Sequence, residues 1–422
     1  MTGAPTPERL ADLRRDLLRF AQGAEHPLGF GWLDDSGRLD PTRPVELWIT
    51  CRMTHVMCLG LLADEAPAAG GPGAEDLRRL AAHGVRALAT SLRDPAYGGW
   101  FAAVDASGPV SDAKQAYGHA FVLLAASSAV AAGVPGARGL LDDAIAVDGA
   151  RFWDEHEGLV VEEWDRTWST LEDYRGINAN MHTDEGYLAV GDVTGDTAWH
   201  RRAGRIAARV AGWAEANDWR VPEHFDATWA PLLEHHRDEP AHPFRPYGAT
   251  VGHGLEWARL LVAVDASLGA QSPEGLVAAA EALADRAVAD GWAVDGAEGF
   301  VYTTDWSGRP VVRRRMHWVL AEAVNAAEVL RRVTGAARYA EQVERWWAYA
   351  ERHLVDHERG SWHHELDPAN QPSAEVWPGK PDVYHAYQAA LLPVVPVVPS
   401  FAAALAGLPA PGAGRSLPPH TR

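Results

Sequence analysis

The chain has 422 residues, 47% of them hydrophobic, and a formal net charge of −19. That supplies apolar material for a large core, and its sign speaks against nucleic acid or an anionic membrane as partner, since phosphate-binding faces cluster Lys and Arg. No run of 18 apolar residues is present, so no membrane span is predicted.

The opening stretch, "MTGAPTPERLADLRRDLLRF", contains acidic residues and no apolar h-region, so it reads as a first helix and not as a signal peptide. Helical periodicity then predicts segments near 7–23, 45–64, 74–91, 111–132, 137–148, 178–193, 196–216, 250–269, 273–289, 313–333, 336–356 and 381–392. Thr6 and Pro7 open the first, and Gly195 in "TGDTAWH" turns the chain into another. Cys51 and Cys58 lie seven apart in the second segment, a spacing that suits two buried thiols and a reducing cytoplasm.

Between helix pairs stand short strand-like pieces: "GFGWLDDSGRLD", "GGWFAAVDASGPV", "GLVVEEWDRTW", "GFVYTTDWSGRPV" and "GSWHHELDPANQP". Each joins a Gly, an apolar or aromatic alternation and an Asp-rich turn, which marks a hairpin. A sixth interval, "HFDATWAPLLEHHRDEPAHPFRPYG", is longer and lacks that pattern. After every interval the chain enters a helix, with a histidine near its start. The six are His55, His119, His182, His253, His317 and His385, separated by 64, 63, 71, 64 and 68 residues. Such a period means stacked supersecondary units. Six helical hairpins closing on themselves give an all-α (α/α)6 barrel, with β-hairpin loops rimming one mouth. The barrel is expected to span 1–395 as one catalytic domain. Residues 396–422, rich in Pro, Ala and Gly, read as a surface-running or disordered tail.

The histidines have different neighbours. "WITCRMTH" offers Arg52, "KQAYGHAF" offers Tyr117, and "GINANMHTDE" places Asn178 and His182 on one helical face. "GATVGHGLEWARL" pairs His253 with Glu256, "RRRMHWVLAEA" offers Trp318, and "GSWHHELD" puts Trp362 on a rim loop. Guanidinium, amide and imidazole groups bond hydroxyls, while aromatic plates cover apolar sugar faces. Eighteen tryptophans fit that use, although Trp also fills cores. His55, His119 and His317 are as readily explained by repeat ancestry. Arg245 in "HPFRPYG" is either a substrate contact or half of a loop-locking ion pair, and Glu256 orients His253. Trp346 and Trp347 read as packing.

No HExxH or paired-Cys motif accompanies these residues, so no metal or other cofactor is expected. A GxSxG elbow is likewise missing. Glycoside hydrolysis needs two opposed carboxylates, whereas imidazoles hold most repeat-equivalent positions; Glu256 alone beside the two rings would dismiss that reading. A non-catalytic sugar-binding barrel would have no use for His253 and His385 together.

Seven motifs in order, "RMTH", "HAFVLLA", "NANMH", "HPFRPYGATVGHGLEW", "RMHWVLAEA", "GSWHHELD" and "GKPDVYHAYQA", resemble the N-acylglucosamine 2-epimerase superfamily over about residues 30–395. Within it the chain is most similar to the branch of D-mannose isomerases and sulfoquinovose isomerases. The resemblance implies a metal-free (α/α)6 barrel with His253 and His385 as an acid–base pair. Arg52, Tyr117, Asn178, His182, Glu256, Trp306 or Trp318, and Trp362 would form the binding shell. An aldose–ketose interconversion opens the sugar ring and moves a proton from C2 to C1 through a cis-enediol. An imidazole, with its ordinary pKa of about 6.5, suits that transfer. His385 is assigned to C2 and C1, and His253 to ring opening, although the residues allow the reverse. Arg52, helped by His182, would stabilise the enediolate. D-mannose with D-fructose is the expected pair, on branch resemblance. A sugar 2-epimerase or a sulfoquinovose isomerase on the same scaffold is the alternative. A monosaccharide is the expected partner, and the protein is expected to be a monomer or homodimer.

Overall fold

Two kinds of helix alternate along the computed structural model, which describes residues 4–411. They are α1 (Pro7–Ala21), α2 (Leu47–Ala63), α3 (Ala74–Ala89), α4 (Ala116–Ala131), α5 (Ala137–Arg151), α6 (Ile177–Thr194), α7 (Thr197–Ala216), α8 (Val251–Leu268), α9 (Leu276–Gly291), α10 (His317–Thr334), α11 (Ala337–Tyr349), α12 (Tyr384–Leu391) and α13 (Phe401–Leu405). Helices such as α3 are amphipathic: Leu77, Leu80, Ala81, Gly84, Val85 and Leu88 are buried on one stripe, while Glu75, Asp76, Arg78 and Arg79 face water. By contrast α2 is buried at every residue from Leu47 to Gly60. A helix that is apolar all round must be surrounded by other elements.

The ring follows from that division. Each of α2, α4, α6, α8, α10 and α12 packs on the next, and α12 returns to α2. Outside them α3, α5, α7, α9 and α11 each cover the inner helix before them, and α1 covers α12. The first helix of the chain thus completes the sixth hairpin with the last inner one. The (α/α)6 barrel and all twelve expected segments are present. The largest shift at a helix start is at α4, where Lys114–Gln115 belong to a strand and not to the helix.

Five short antiparallel ladders fasten the mouth. Val45–Glu46, Lys114–Gln115, Arg175–Gly176, Ala249–Thr250 and Arg315–Met316 each directly precede an inner helix, and each pairs with a strand from the next repeat. The start of each of these five inner helices is therefore fixed by its neighbour. The turns share one chemistry: Asp34, Asp105, Asp165, Asp226, Asp305 and Asp367 each accept the backbone N–H two residues on. Asp226 belongs to the interval expected to lack a hairpin. That interval does form the tight turn, with Phe225 bridged to Pro231, before running on as a long loop to Tyr247. The extra length, not a missing turn, obscured the pattern.

The C-terminal stretch departs from expectation. Residues 396–401 line one cavity together with Leu188, Leu260 and Val329, from the C-terminal halves of three inner helices. Ala402 and Ala403 are buried, and α13 packs on α2, α4 and α6. The segment floors the barrel instead of running over its surface. Residues 412–422 of the expected tail lie outside the described residues. Cys51 and Cys58 are buried free thiols. Among the described residues no helix is long and apolar enough to cross a membrane.

Candidate active site

The inner helices begin at the strand-tied mouth and enclose a cavity of about 680 Å³, open solvent at its entrance included. Four of the six repeated histidines line it: His182, His253, His317 and His385. These lie within the first two turns of α6, α8, α10 and α12. His55 sits deeper in α2, where Nδ1 is 2.7 Å from Ser128 Oγ. His119 turns outward to Gln115 O at 2.7 Å and accepts the Trp100 N–H. The structural reading therefore fits His55 and His119. His317 departs from it, because its ring lines the cavity with Nε2 unpartnered.

His253 and His385 meet in one volume. The Trp318 ring stands 5.3 Å from the first and 5.7 Å from the second, touching both. Each imidazole is backed by a carboxylate: His253 Nδ1 is 2.8 Å from Glu223 Oε2, and His385 Nδ1 is 2.9 Å from Glu322 Oε1. With Nδ1 donating to a carboxylate, Nε2 is left as the basic atom. Burial, with Arg52 nearby, pushes His385 well below the ordinary imidazole range. Glu256 does not orient His253, as expected from their spacing; that place is taken by Glu223, from the loop after α7. The Glu256 Oε1 atom is unpartnered, 3.6 Å from Arg259 and 3.9 Å from His182. Burial, reinforced by Glu322, holds the Glu256 carboxyl well above its usual range. His182 is pushed down to about 4, chiefly by burial.

Opposite these groups, Arg52 donates to Tyr117 Oη at 3.1 Å and lies 3.3 Å from Asp382 Oδ2. Its guanidinium is 4.5 Å from the Phe121 ring centre and 4.7 Å from that of Tyr384. A fixed cation held this way can face developing negative charge. Asn178 and Tyr117 also line the cavity.

Ligand atoms of Glu256, Glu322 and His385 lie within 4.8 Å of one another, a spacing that a metal ion could use. The donor set does not suit one. Arg259 Nε donates to Glu322 Oε2 at 3.0 Å, so a permanent cation already sits against the carboxylates, and His385 Nδ1 is committed to Glu322. Nor is Glu256 the lone carboxylate of the sequence reading. Glu223 and Glu322 stand beside the rings, but each is engaged at an imidazole nitrogen and not placed to flank a glycosidic bond.

Three expected contacts fall elsewhere. Trp306 does not line the cavity; its indole N–H donates to Leu233 O at 2.6 Å and pins the long loop. Trp362 is 1% exposed and meets Trp347 edge-on, so it is core. Arg245 forms the loop-locking pair, with both terminal nitrogens on Glu172 at 2.8 and 2.9 Å. Sequence reading missed Glu223, Glu322 and His364, and the aromatic residues Trp48, Phe244, Tyr302 and Trp377 that wall the cavity. Glu322 had a signal: an acid amid the apolar run of an inner helix requires a buried partner.

Comparison with known proteins agrees with this geometry. The N-acylglucosamine 2-epimerase (GlcNAc 2-epimerase) family matches residues 29–389. A D-mannose isomerase of Thermobifida fusca is 54% identical over 400 residues, covering 94% of this chain and 96% of the relative. Another D-mannose isomerase, from Pseudomonas cannabina pv. alisalensis, is 47% identical over 396 residues and 93% of each chain. A D-mannose isomerase crystal structure superposes with a TM-score of 0.82 at 25% identity, covering 90% of this chain and 96% of that one.

Proposed function

The chain belongs to the N-acylglucosamine 2-epimerase family, and from that membership we propose that it is an aldose–ketose isomerase interconverting D-mannose and D-fructose without a metal. Full-length relatives bearing that activity support the substrate. The observation that carries the chemistry is the pair of carboxylate-backed imidazoles, His253 and His385, meeting across Trp318.

Ring opening comes first. His253, held by Glu223, takes the anomeric O1 proton and delivers one to the ring oxygen. His385 Nε2 then removes the C2 proton, and negative charge moves onto O1. Arg52 and His182 face that charge, lowering the barrier to the cis-enediol. A proton passes from O2 to O1 by way of His253, and His385, once its N–H has exchanged with solvent, delivers a proton to C1, leaving the ketone at C2. One base on one face suffices for this sequence. Burial keeps His385 neutral and ready to accept. Glu256, with a free oxygen in the cavity, offers a contact to a sugar hydroxyl. Tyr117 and Asn178 bind further hydroxyls. The two buried free thiols suit a cytoplasmic setting.

Incubation with D-mannose in deuterated water containing EDTA, followed by NMR, tests the reading. Fructose carrying deuterium at C1 is the expected early product. Glucose as the principal early product would replace isomerisation with epimerisation.

A further inference from the structure

Glu365 does not line the cavity, yet its side chain holds part of the cavity's aromatic wall in place. It lies in the strand Glu365–Leu366, opposite Met316, and is 1% exposed. Its Oε1 accepts from Ser373 Oγ at 2.8 Å and from the Glu375 N–H at 3.0 Å. Its Oε2 accepts from the N–H groups of Val376 at 2.8 Å and Trp377 at 2.9 Å. Every bond is one that a carboxylate, as a pure acceptor, can receive. Residues 373–377 form no helix or strand, so these backbone donors are satisfied by one side chain.

What the segment presents is Trp377. Its ring lines the cavity, meets Phe244 edge-on at 5.2 Å and Trp48 at 6.2 Å, and stacks on Trp32 at 6.2 Å. The residue just before that strand also supports the cavity: the His317 N–H donates to His364 O at 3.0 Å, and the two imidazoles stack at 3.8 Å. Glu365 thus sits where a cavity-lining helix start and a cavity-lining aromatic are tied together.

We propose that Glu365 is a positioning residue that fixes Trp377 at the mouth and thereby sets affinity for the monosaccharide. The proposal rests on the mannose reading for its substrate. Glutamine at 365 keeps the shape but turns one acceptor oxygen into an amide donor facing backbone N–H groups. The segment is released, Trp377 loses its fixed pose, and the wall against which the sugar packs becomes mobile, while the imidazoles stay put.

The test is steady-state kinetics with D-mannose on the wild type, E365Q, W377A and the double variant. E365Q is expected to raise KM about tenfold with kcat within about twofold, because uniform binding is lost and not transition-state contact. W377A should also raise KM, and the double variant should be no worse than W377A alone, since the two act through one wall. E365D, which keeps the charge on a shorter stem, should give an intermediate KM. A fall in kcat at unchanged KM, or effects that multiply in the double variant, would overturn the proposal. Amide hydrogen exchange supplies a readout independent of turnover. The Val376 and Trp377 amides should exchange at least about tenfold faster in E365Q while the inner helices stay protected; unchanged exchange there sinks the proposal. A wild type that does not convert mannose at all fails the substrate assignment and leaves the exchange result to decide the role of Glu365. If E365Q does not fold, E365D and exchange at the same two amides decide it.

Discussion

Glu223 Oε2 lies 2.8 Å from His253 Nδ1, and the two come from different parts of the chain, a loop and the start of α8. The contact fixes the tautomer and leaves Nε2 as the atom that faces the substrate's protons. Glu223→Gln keeps an oxygen able to accept but removes the charge. We expect kcat to fall about 10–100-fold with KM little changed, measured by initial rates of fructose formation. An unchanged kcat would remove His253 from the proton path.

Arg259 offsets the buried acids beneath the cavity, 3.0 Å from Glu322 and 3.6 Å from both Glu185 and Glu256. Replacing it with Met leaves buried acids uncompensated, and about 3–5 kcal/mol of stability should go. Urea denaturation measures the loss. Because the guanidinium already supplies the positive charge, extended dialysis against EDTA should leave wild-type turnover intact; loss that is restored by a divalent ion would contradict this account.

Arg245 and Glu172 should behave as a pair. If the arginine acts by locking the loop that carries Phe244, then Arg245→Ala and Glu172→Ala raise KM by similar factors of a few-fold, and the double variant adds little. A direct sugar contact predicts that only the arginine variant matters.

The pH profile of kcat/KM reports the free enzyme. The base must be neutral, and burial places His385 below the ordinary imidazole value of 6.5. The sign is therefore clear: the acid limb attributable to this ring should fall below pH 6.5, with activity held as pH drops through neutrality. Circular dichroism over the same range separates this limb from acid unfolding. A limb at or above 6.5 would show that Glu322 wins over burial.

Trp362 should matter to stability alone. Truncation to Ala removes a large core ring, at a cost of about 3–5 kcal/mol, while KM of the folded protein should match the wild type. A raised KM would return the ring to the binding shell.

The barrel was legible because its signal is periodic. Five Asp-rich turns and six histidines repeat, and repetition survives local ambiguity. The site was legible only where its residues sit on inner helices. Arg52, Tyr117, Asn178, His182, Glu256 and Trp318 reach the cavity because their helices aim them there. Trp306, Trp362 and Arg245 lie on loops, where spacing says nothing about direction, and all three turn to structural partners. The same limit hid Glu223, which meets His253 thirty residues on in sequence only because the barrel folds the loop back.

The floor formed by α13 has a kinetic corollary. Among the described residues α13 covers the far end of the ring, so aldose and ketose share the strand-tied mouth as their doorway. A departing ketose must clear that doorway before the next aldose can enter, so fructose should inhibit the forward reaction by competing directly with mannose.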